Sequence, residues 1–297
     1  MNPTPWLQVT IEPPDPAQTE HLAVTHLMPL LTEAETDKLI TAWFFIRKTP
    51  RWRLRYLPAH QPARTRSHVL DHLDSLTRDE HIRHAVDGVY EPETRAFGGV
   101  EAMAVAHRLW HADSRHVLTY LAATAEHPTD RRRRELAMIL STALLRAAGL
   151  DWYEQGDVWV RVADHRPSPA DLGLHDAAAI HSALRRLMSI NLTTTAVPDG
   201  PSATASDWAG AFATAGHDLA HLATTGHLHR GLRDVLAHHI IFAMNRLGLP
   251  ATTQAVLATH AADTVFGPDP AARPEKRSPE QAATTKPNIA TGPGTAK

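Results

Sequence analysis

The sequence predicts an α+β fold: a small mixed sheet with a flanking helix at the N-terminus, followed by a mainly helical remainder. Three observations carry this. Residues Trp6 to Ile11 alternate apolar and polar, as a half-buried strand does. Two further runs, Trp43 to Arg47 and Trp52 to Leu57, are rich in aromatic and aliphatic residues and are separated by a short turn containing Pro50. Beyond residue 100 apolar residues recur every three or four positions, the helical period.

In chain order, Pro13, Pro14 and Pro16 end the first strand. His21 to Ala42 reads as helical, in two pieces, with Thr32 and Glu35 spaced as a capping box. The two strands that follow complete a β-α-β-β opening, which suggests an open sheet with a helix on one face. From Arg78 a mixed segment leads into Tyr90-Glu-Pro-Glu-Thr-Arg-Ala-Phe-Gly-Gly99, whose glycine pair suits a tight entry into the next helix. Helical pattern then covers about residues 100–125, 131–148, 176–189, 207–226, 228–247 and 251–266. In the second of these, Leu136, Leu140 and Leu144 lie four apart and Gly149 stands where a helix would stop. Pro198 to Ser206 reads as a loop. Residues 1–267 are expected to form a single domain, and 268–297, rich in Pro, Ala, Thr and Lys, a disordered tail.

Bulk properties exclude several function classes. A chain of 297 residues can bury a substantial core. A formal charge of -2 supplies no field toward nucleic acid or an anionic membrane. The absence of cysteine removes disulfides, thiolate metal sites and a cysteine nucleophile. Met1 to Trp6 holds no basic stretch leading into an apolar run, so no signal peptide is expected. No segment approaches the roughly 20 apolar residues of a membrane helix. The expectation is a soluble, cytoplasmic protein.

Several clusters carry candidate chemistry. In a strand, Arg53 and Arg55 share one face while Trp52 and Leu54 share the other. With Arg47 on the neighbouring strand they form a fork for carboxylate or phosphate, the alternative being a solvated sheet face. Glu91, Glu93 and Arg95 precede the glycine pair, as a general base or as partners for those arginines. His107 with His111, and His217 with His221, have the four-residue spacing of zinc ligands. Both pairs lack the glutamate of the HExxH pattern and a third ligand, so no metal is expected. Arg131 to Arg134 open a helix against its dipole and are expected to pair with acids or bind an anion. Asp151 to Arg161 packs Trp152, Tyr153, Glu154, Asp157, Trp159 and Arg161 into one segment. The apolar stretch Arg230 to Leu249 carries His238, His239, Asn245 and Arg246, buried polar groups that need partners.

The order of these pieces is more specific than any one of them. Phe45-Ile-Arg-Lys48, Trp52-Arg-Leu-Arg55, Tyr90-Glu-Pro-Glu93 with Phe97-Gly-Gly99, Asp113-Ser114, Trp152-Tyr-Glu-Gln-Gly-Asp-Val-Trp159 and Asn245-Arg-Leu247 together resemble the C-terminal domain of class I lanthipeptide dehydratases. The form is the stand-alone one of thiopeptide-type bacteriocin biosynthesis, over about residues 6 to 267. The resemblance implies an α+β fold acting on a ribosomally made precursor peptide. It further implies that a glutamyl-tRNA-dependent partner subunit glutamylates Ser and Thr and that a domain of this kind then eliminates glutamate to leave dehydroalanine or dehydrobutyrine. The glutamyl ester carries a free carboxylate, for which Arg53 and Arg55 match the family's Arg-Leu-Arg element.

The family's histidine lies four residues before the asparagine, where this chain has Ile241, so His239 is the nearest candidate base. An arginine just before the aromatic-Gly-Gly is replaced by Ala96, with Arg95 beside it. Within the pattern Arg53, Arg55, Arg95 and His239 are the expected catalytic set. Arg47, Glu93, Glu154, Asp157, Asn245 and Arg246 are the expected substrate-binding set, with Glu154 and Asp157 positioning the arginine fork or the peptide. No cofactor, nucleic acid or membrane contact is expected, and a homodimer is left open. Two alternatives remain: a [4+2] cycloaddition that joins two dehydroalanines into a six-membered ring, and a non-catalytic subunit that binds leader peptide or the glutamylating partner.

Overall fold

Strand alternation sorts the N-terminal residues onto two sheet faces. The computed structural model describes residues 6–125, 130–166, 177–190 and 201–267. β1 (Leu7–Glu12) buries Val9 and Ile11 on one face and carries Gln8 and Thr10 on the other. Asp15 caps a short 3-10 turn by accepting from the Ala17 amide at 2.9 Å. The helical stretch that follows comes in two pieces, as expected: α1 (Thr19–Leu22) passes through a π-type turn into α2 (Met28–Thr36). The expected capping box is absent. Thr32 lies inside α2 and donates back to the Met28 carbonyl at 2.8 Å, and the helix ends before Lys38, which takes φ +56°.

β2 (Ile40–Lys48) and β3 (Arg51–Pro58) form the expected hairpin. Two elements before residue 90 were not foreseen. α3 (Pro62–Arg78) starts on a proline at its first position and buries Thr65, Val69, Leu73 and Leu76 along one stripe. β4 (His84–Val89) is an edge strand whose Asp87 and Gly88 disguise it. The strand order is β2-β3-β1-β4. The α+β class holds with one refinement: every pairing is antiparallel, because β3 inserts between β1 and β2.

The helical remainder comprises α4 (Val100–Ala123), α5 (Asp130–Ala147), α6 (Trp152–Asp164), α7 (Ala177–Ser189), α8 (Pro201–Thr224), α9 (Leu232–Arg246) and α10 (Ala251–Phe266). Gly149, at φ +79°, follows α5 in the expected place. α8 begins at Pro201, inside the stretch read as a loop, since proline is favoured at a first helical position. Asp151 to Arg161 proves to be mainly helix. Asp151 accepts from the Glu154 amide at 2.8 Å, and Glu154 accepts from the Asp151 amide at 3.1 Å. The expected tail, residues 268–297, lies outside the described residues.

α4 runs along β2, the edge of the sheet, and supplies what a further strand would. Ser114 accepts from the Phe45 amide at 3.3 Å, and His111 Nδ1 bonds the Trp43 backbone. The main core lies between the Val9, Trp52 and Leu54 face of the sheet and the helices. A second, aromatic cluster of Phe44, Tyr90, Phe97 and Trp110 covers part of the opposite face.

Helix contact distances set a sharp expectation. A Cβ added to Gly216 of α8 would lie 2.3 Å from the Leu144 carbonyl oxygen of α5, whereas one added to Gly210 of the same helix meets nothing within 4 Å. Gly216→Ala is expected to cost about 2–3 kcal/mol and Gly210→Ala to be neutral or stabilising by up to ~1 kcal/mol, read from urea unfolding. Equal effects of the two substitutions would contradict this packing.

Candidate functional site

The site grows from β3. Arg53 and Arg55 share a sheet face, as alternation requires, with Arg53 exposed and Arg55 buried. Arg55 Nε donates to Gln8 Oε1 at 2.8 Å, and its guanidinium sits 4.1 Å from the Tyr90 ring centroid. Burial pushes its pKa down, opposed by Tyr90 and by the Glu93 carboxylate. Among the described residues Arg55 has no salt-bridging acid, so its charge is available to an anion.

Arg47 does not join this pair. It lies opposite Trp52 in the register and therefore on the other sheet face, stacked 4.6 Å from the Trp52 ring. Its Nη1 meets Glu20 Oε1 at 2.5 Å and its Nε donates to the Arg246 carbonyl at 2.8 Å. The expected three-arginine fork is thus two arginines. Arg133, from the arginine run at the start of α5, also grips Glu20, at 2.7 Å. Arg47, Trp52 and Asn245 border a cleft of about 420 Å³ on that second face. Asn245 accepts from Gln254 at 2.9 Å there, away from Arg55.

The segment Tyr90 to Gly99 bridges the sheet and α9. Tyr90 Oη and His107 Nε2 are 2.8 Å apart, and burial pushes the Tyr90 phenol up to about 12 and the His107 imidazole down to about 4. His107 and His111 therefore serve different partners and form no metal pair. Gly98 and Gly99 take φ +89° and +116°, and a Cβ on Gly98 would lie 2.6 Å from Leu228. This closeness lets the His229 amide donate to the Gly98 carbonyl at 2.7 Å and Arg230 Nη1 to the Ala96 carbonyl at 2.9 Å. A cleft of about 600 Å³ opens here, lined by Thr94, the exposed Arg95, Gly99, His227, His229 and Arg230.

α9 sorts its two histidines. His239 is fully buried against the edge of Phe97, and neither ring nitrogen has a partner. Burial, then the charges of Arg246 and His238, push it down to about 3. An imidazole so placed is sealed from solvent and from a bound peptide. His238 is half-exposed. Its Nδ1–H donates to the Asp234 carbonyl at 3.0 Å, leaving Nε2 as a lone pair 3.4 Å from Arg230 Nη1. Burial lowers its pKa and keeps it neutral, and the Glu93 charge reaches it as it reaches Arg55. His238 carries no motif of its own; its helical phase relative to Ile241 was the available signal.

Three other expected residues are held in ion pairs within the fold. Arg246 is buried, its Nε 2.5 Å from Asp113 Oδ2, while Trp208 donates to Asp113 Oδ1 at 2.8 Å. Glu154 and Asp157 accept from Arg233 at 2.7 and 3.0 Å, and Asp157 also from Arg161 at 3.2 Å. They tie α6 to α9 and do not touch Arg53 or Arg55.

With this geometry in place, the sequence matches the family described as "Lantibiotic biosynthesis dehydratase C-term" over residues 6–265. The chain belongs to this family. Solved structures share its fold. MibB, a tRNA-dependent lantibiotic dehydratase from Microbispora sp. 107891, aligns at 17% identity and TM-score 0.62 over 90% of this chain; the chain spans 28% of MibB. TsrL aligns at 15% identity and TM-score 0.60 over 91% of this chain and 99% of its own. TbtD, a pyridine synthase from thiomuracin biosynthesis, aligns at 12% identity and TM-score 0.63 over 88% of this chain and 97% of its own. No curated protein sequence matches the chain significantly. No helix among the described residues is long and apolar enough to cross a membrane.

Glu20 provides a pH test of the second face. Burial raises its pKa, but Arg133 and Arg47 outweigh that and hold it down at about 2. Its contribution is therefore present above the unfolded value of about 4.3 and fades as pH falls toward 2. Relative to wild type, Glu20→Gln is expected to lower the urea midpoint near pH 7, with the gap closing on acidification. A gap independent of pH would contradict the arrangement.

Proposed function

We propose that this dehydratase-family chain eliminates glutamate from glutamylated Ser and Thr of a precursor peptide, with His238 as the base. One observation carries the reading: His238 stands on the helix bearing Asn245-Arg246-Leu247, one turn before Ile241, with Nδ1 anchored and Nε2 carrying the lone pair. Nε2 takes the Cα proton, the C–H electron pair forms the Cα=Cβ bond, and the Cβ–O bond breaks to release glutamate as a carboxylate. The enolate character that develops at Cα needs a cation close by, which Arg230 supplies. Arg55, without an acid of its own, receives the free carboxylate of the glutamyl group, with the exposed Arg53 and Arg95 as flanking cations. Glu93 orders these groups by its charge. Glutamylation is assigned to a separate glutamyl-tRNA-dependent subunit, consistent with the 28% of MibB to which the chain corresponds.

The test is mass analysis of glutamylated precursor incubated with the protein. Wild type is expected to remove the glutamyl adducts. His238→Ala is expected to slow this by about 10²–10⁴-fold. His239→Leu, which fills the same apolar space, is expected to keep full turnover. Persistence of every adduct with wild type would overturn the reading. A second reading, [4+2] cycloaddition, is favoured by Ile241 itself, an apolar residue at the histidine position. It predicts that a dehydrated, azole-bearing peptide loses its leader on treatment.

A further inference from the structure

Outside the cleft, α7 and α10 bring three ligand-type side chains together. His181 Nε2 of α7 lies 3.2 Å from His260 Nδ1 of α10. Asp263, one turn beyond His260 on the same helix, offers a carboxylate oxygen, and the three ligand atoms all lie within 4.8 Å of one another. Among the described residues this is the one His, Asp and Glu cluster with such spacing. We propose that His181, His260 and Asp263 form a binding site for a first-row divalent transition-metal ion, zinc above all, which clasps α7 to α10.

Geometry supports the site before chemistry does. Two nitrogens 3.2 Å apart, each about 2.05 Å from a common ion, subtend an angle of about 100° at it, close to tetrahedral. The third donor, Asp263, starts within 4.8 Å of the two nitrogens and closes on the ion from there. As a plain hydrogen-bonded pair the rings are poorly served. Their separation is at the long end of the ordinary range, and among the described residues the buried His260 Nε2 has no hydrogen-bond partner. His260 is only 2% exposed and His181 is half-buried, so packing holds both rings in place at the junction of α7 and α10. Two nitrogens and one carboxylate suit zinc, cobalt, nickel or iron, while calcium and magnesium prefer oxygen ligands alone. Three protein ligands leave a coordination position for water or a fourth group.

Nothing in the elimination chemistry uses these residues, so the inference stands or falls separately. The test titrates Zn(II) alone into the full-length, chelator-treated protein and its His181→Ala variant, following stoichiometry by calorimetry and stability by thermal melting. His181 is half-buried, so its removal is the milder change; circular dichroism confirms that the variant is folded. Wild type is expected to bind one equivalent more than the variant, or to bind it at least about 10-fold more tightly. Its melting temperature should rise with Zn(II) but not with Mg(II). Co(II) should give a visible d–d band in wild type that the variant lacks. Equal zinc stoichiometry and affinity in the two proteins would overturn the proposal. So would a metal-free variant that melts earlier while titrating like wild type, since that assigns the pair to packing alone.

Discussion

Asp113 and Arg246 form an ion pair whose side chains are 0% and 1% exposed, and the placement of the site depends on it. Either charge alone in that interior would be prohibitive, so α4 and α9 can adopt only the register that lets the two meet. Trp208 closes the far carboxylate oxygen from α8, and the guanidinium lies 5.7 Å from the Trp110 ring. Three helices are thereby fixed by contacts to one buried carboxylate. A slip of α9 by one residue would strand both charges, a far larger penalty than any apolar contact could offset. The sheet inherits its position from the same constraint. With α4 set, Ser114, the neighbour of Asp113, reaches the Phe45 amide and closes the open edge of β2. With α9 set, the segment ahead of it meets the Gly98-Gly99 turn, where Arg230 takes the Ala96 carbonyl.

The arginines divide by what faces them. Arg161 and Arg233 meet Asp157, Asp234 and Glu154, and Arg47 and Arg133 share Glu20. A guanidinium held by short bonds to carboxylates has little left to offer a ligand, so these are braces between elements, whereas Arg230 stands 3.9 Å from Asp234 and is held less closely. Arg55 differs. Its donor goes to a neutral amide and its face to an aromatic ring, which hold the group in place without cancelling its charge. That combination of rigidity and unspent charge is what an anion receptor requires. The aromatic cluster on this face of the sheet therefore serves to keep Arg55 dry as well as to pack.

Strong periodicity made most of the architecture legible. The hairpin, the first strand, α4, α5, α9 and α10 follow from alternation or from apolar residues three and four apart. What escaped was local and chemical. β4 hides behind Asp87 and Gly88 because an edge strand needs only its backbone to pair. The Asp151 capping box was readable as D-x-x-E, but the crowd of charges around it invited a functional reading. Arg53 and Arg55 followed from strand period alone. Arg47 did not, because cross-strand register depends on the turn length between β2 and β3, and pairing with Trp52 sends it to the other face. Asp113, Asn245 and Arg246 identified the family well because they hold it together, which is a different matter from touching a substrate.

The histidines of α9 sharpen the same point, since the relevant distance along a helix is angular. Position 239 is two residues from Ile241, about 200° around the axis, so it faces away from the side on which residue 241 lies. Position 238 is three residues away, within about 60° of the same direction and about 4.5 Å further toward the N-terminus. Linear proximity selects His239, and helical phase selects His238. The two rings differ in access: the first is sealed in the core and the second is half-exposed beside Arg230. On the proposed assignment, a base one turn along α9 asks the reacting carbon to move with it. That shift carries the substrate toward the Arg230 end of the helix, where the 600 Å³ cleft and Arg95 already lie. Arg95, shifted one residue from the position that Ala96 occupies, is displaced toward the same cleft. The two departures from the family pattern are thus readable as one coordinated displacement of the reacting centre.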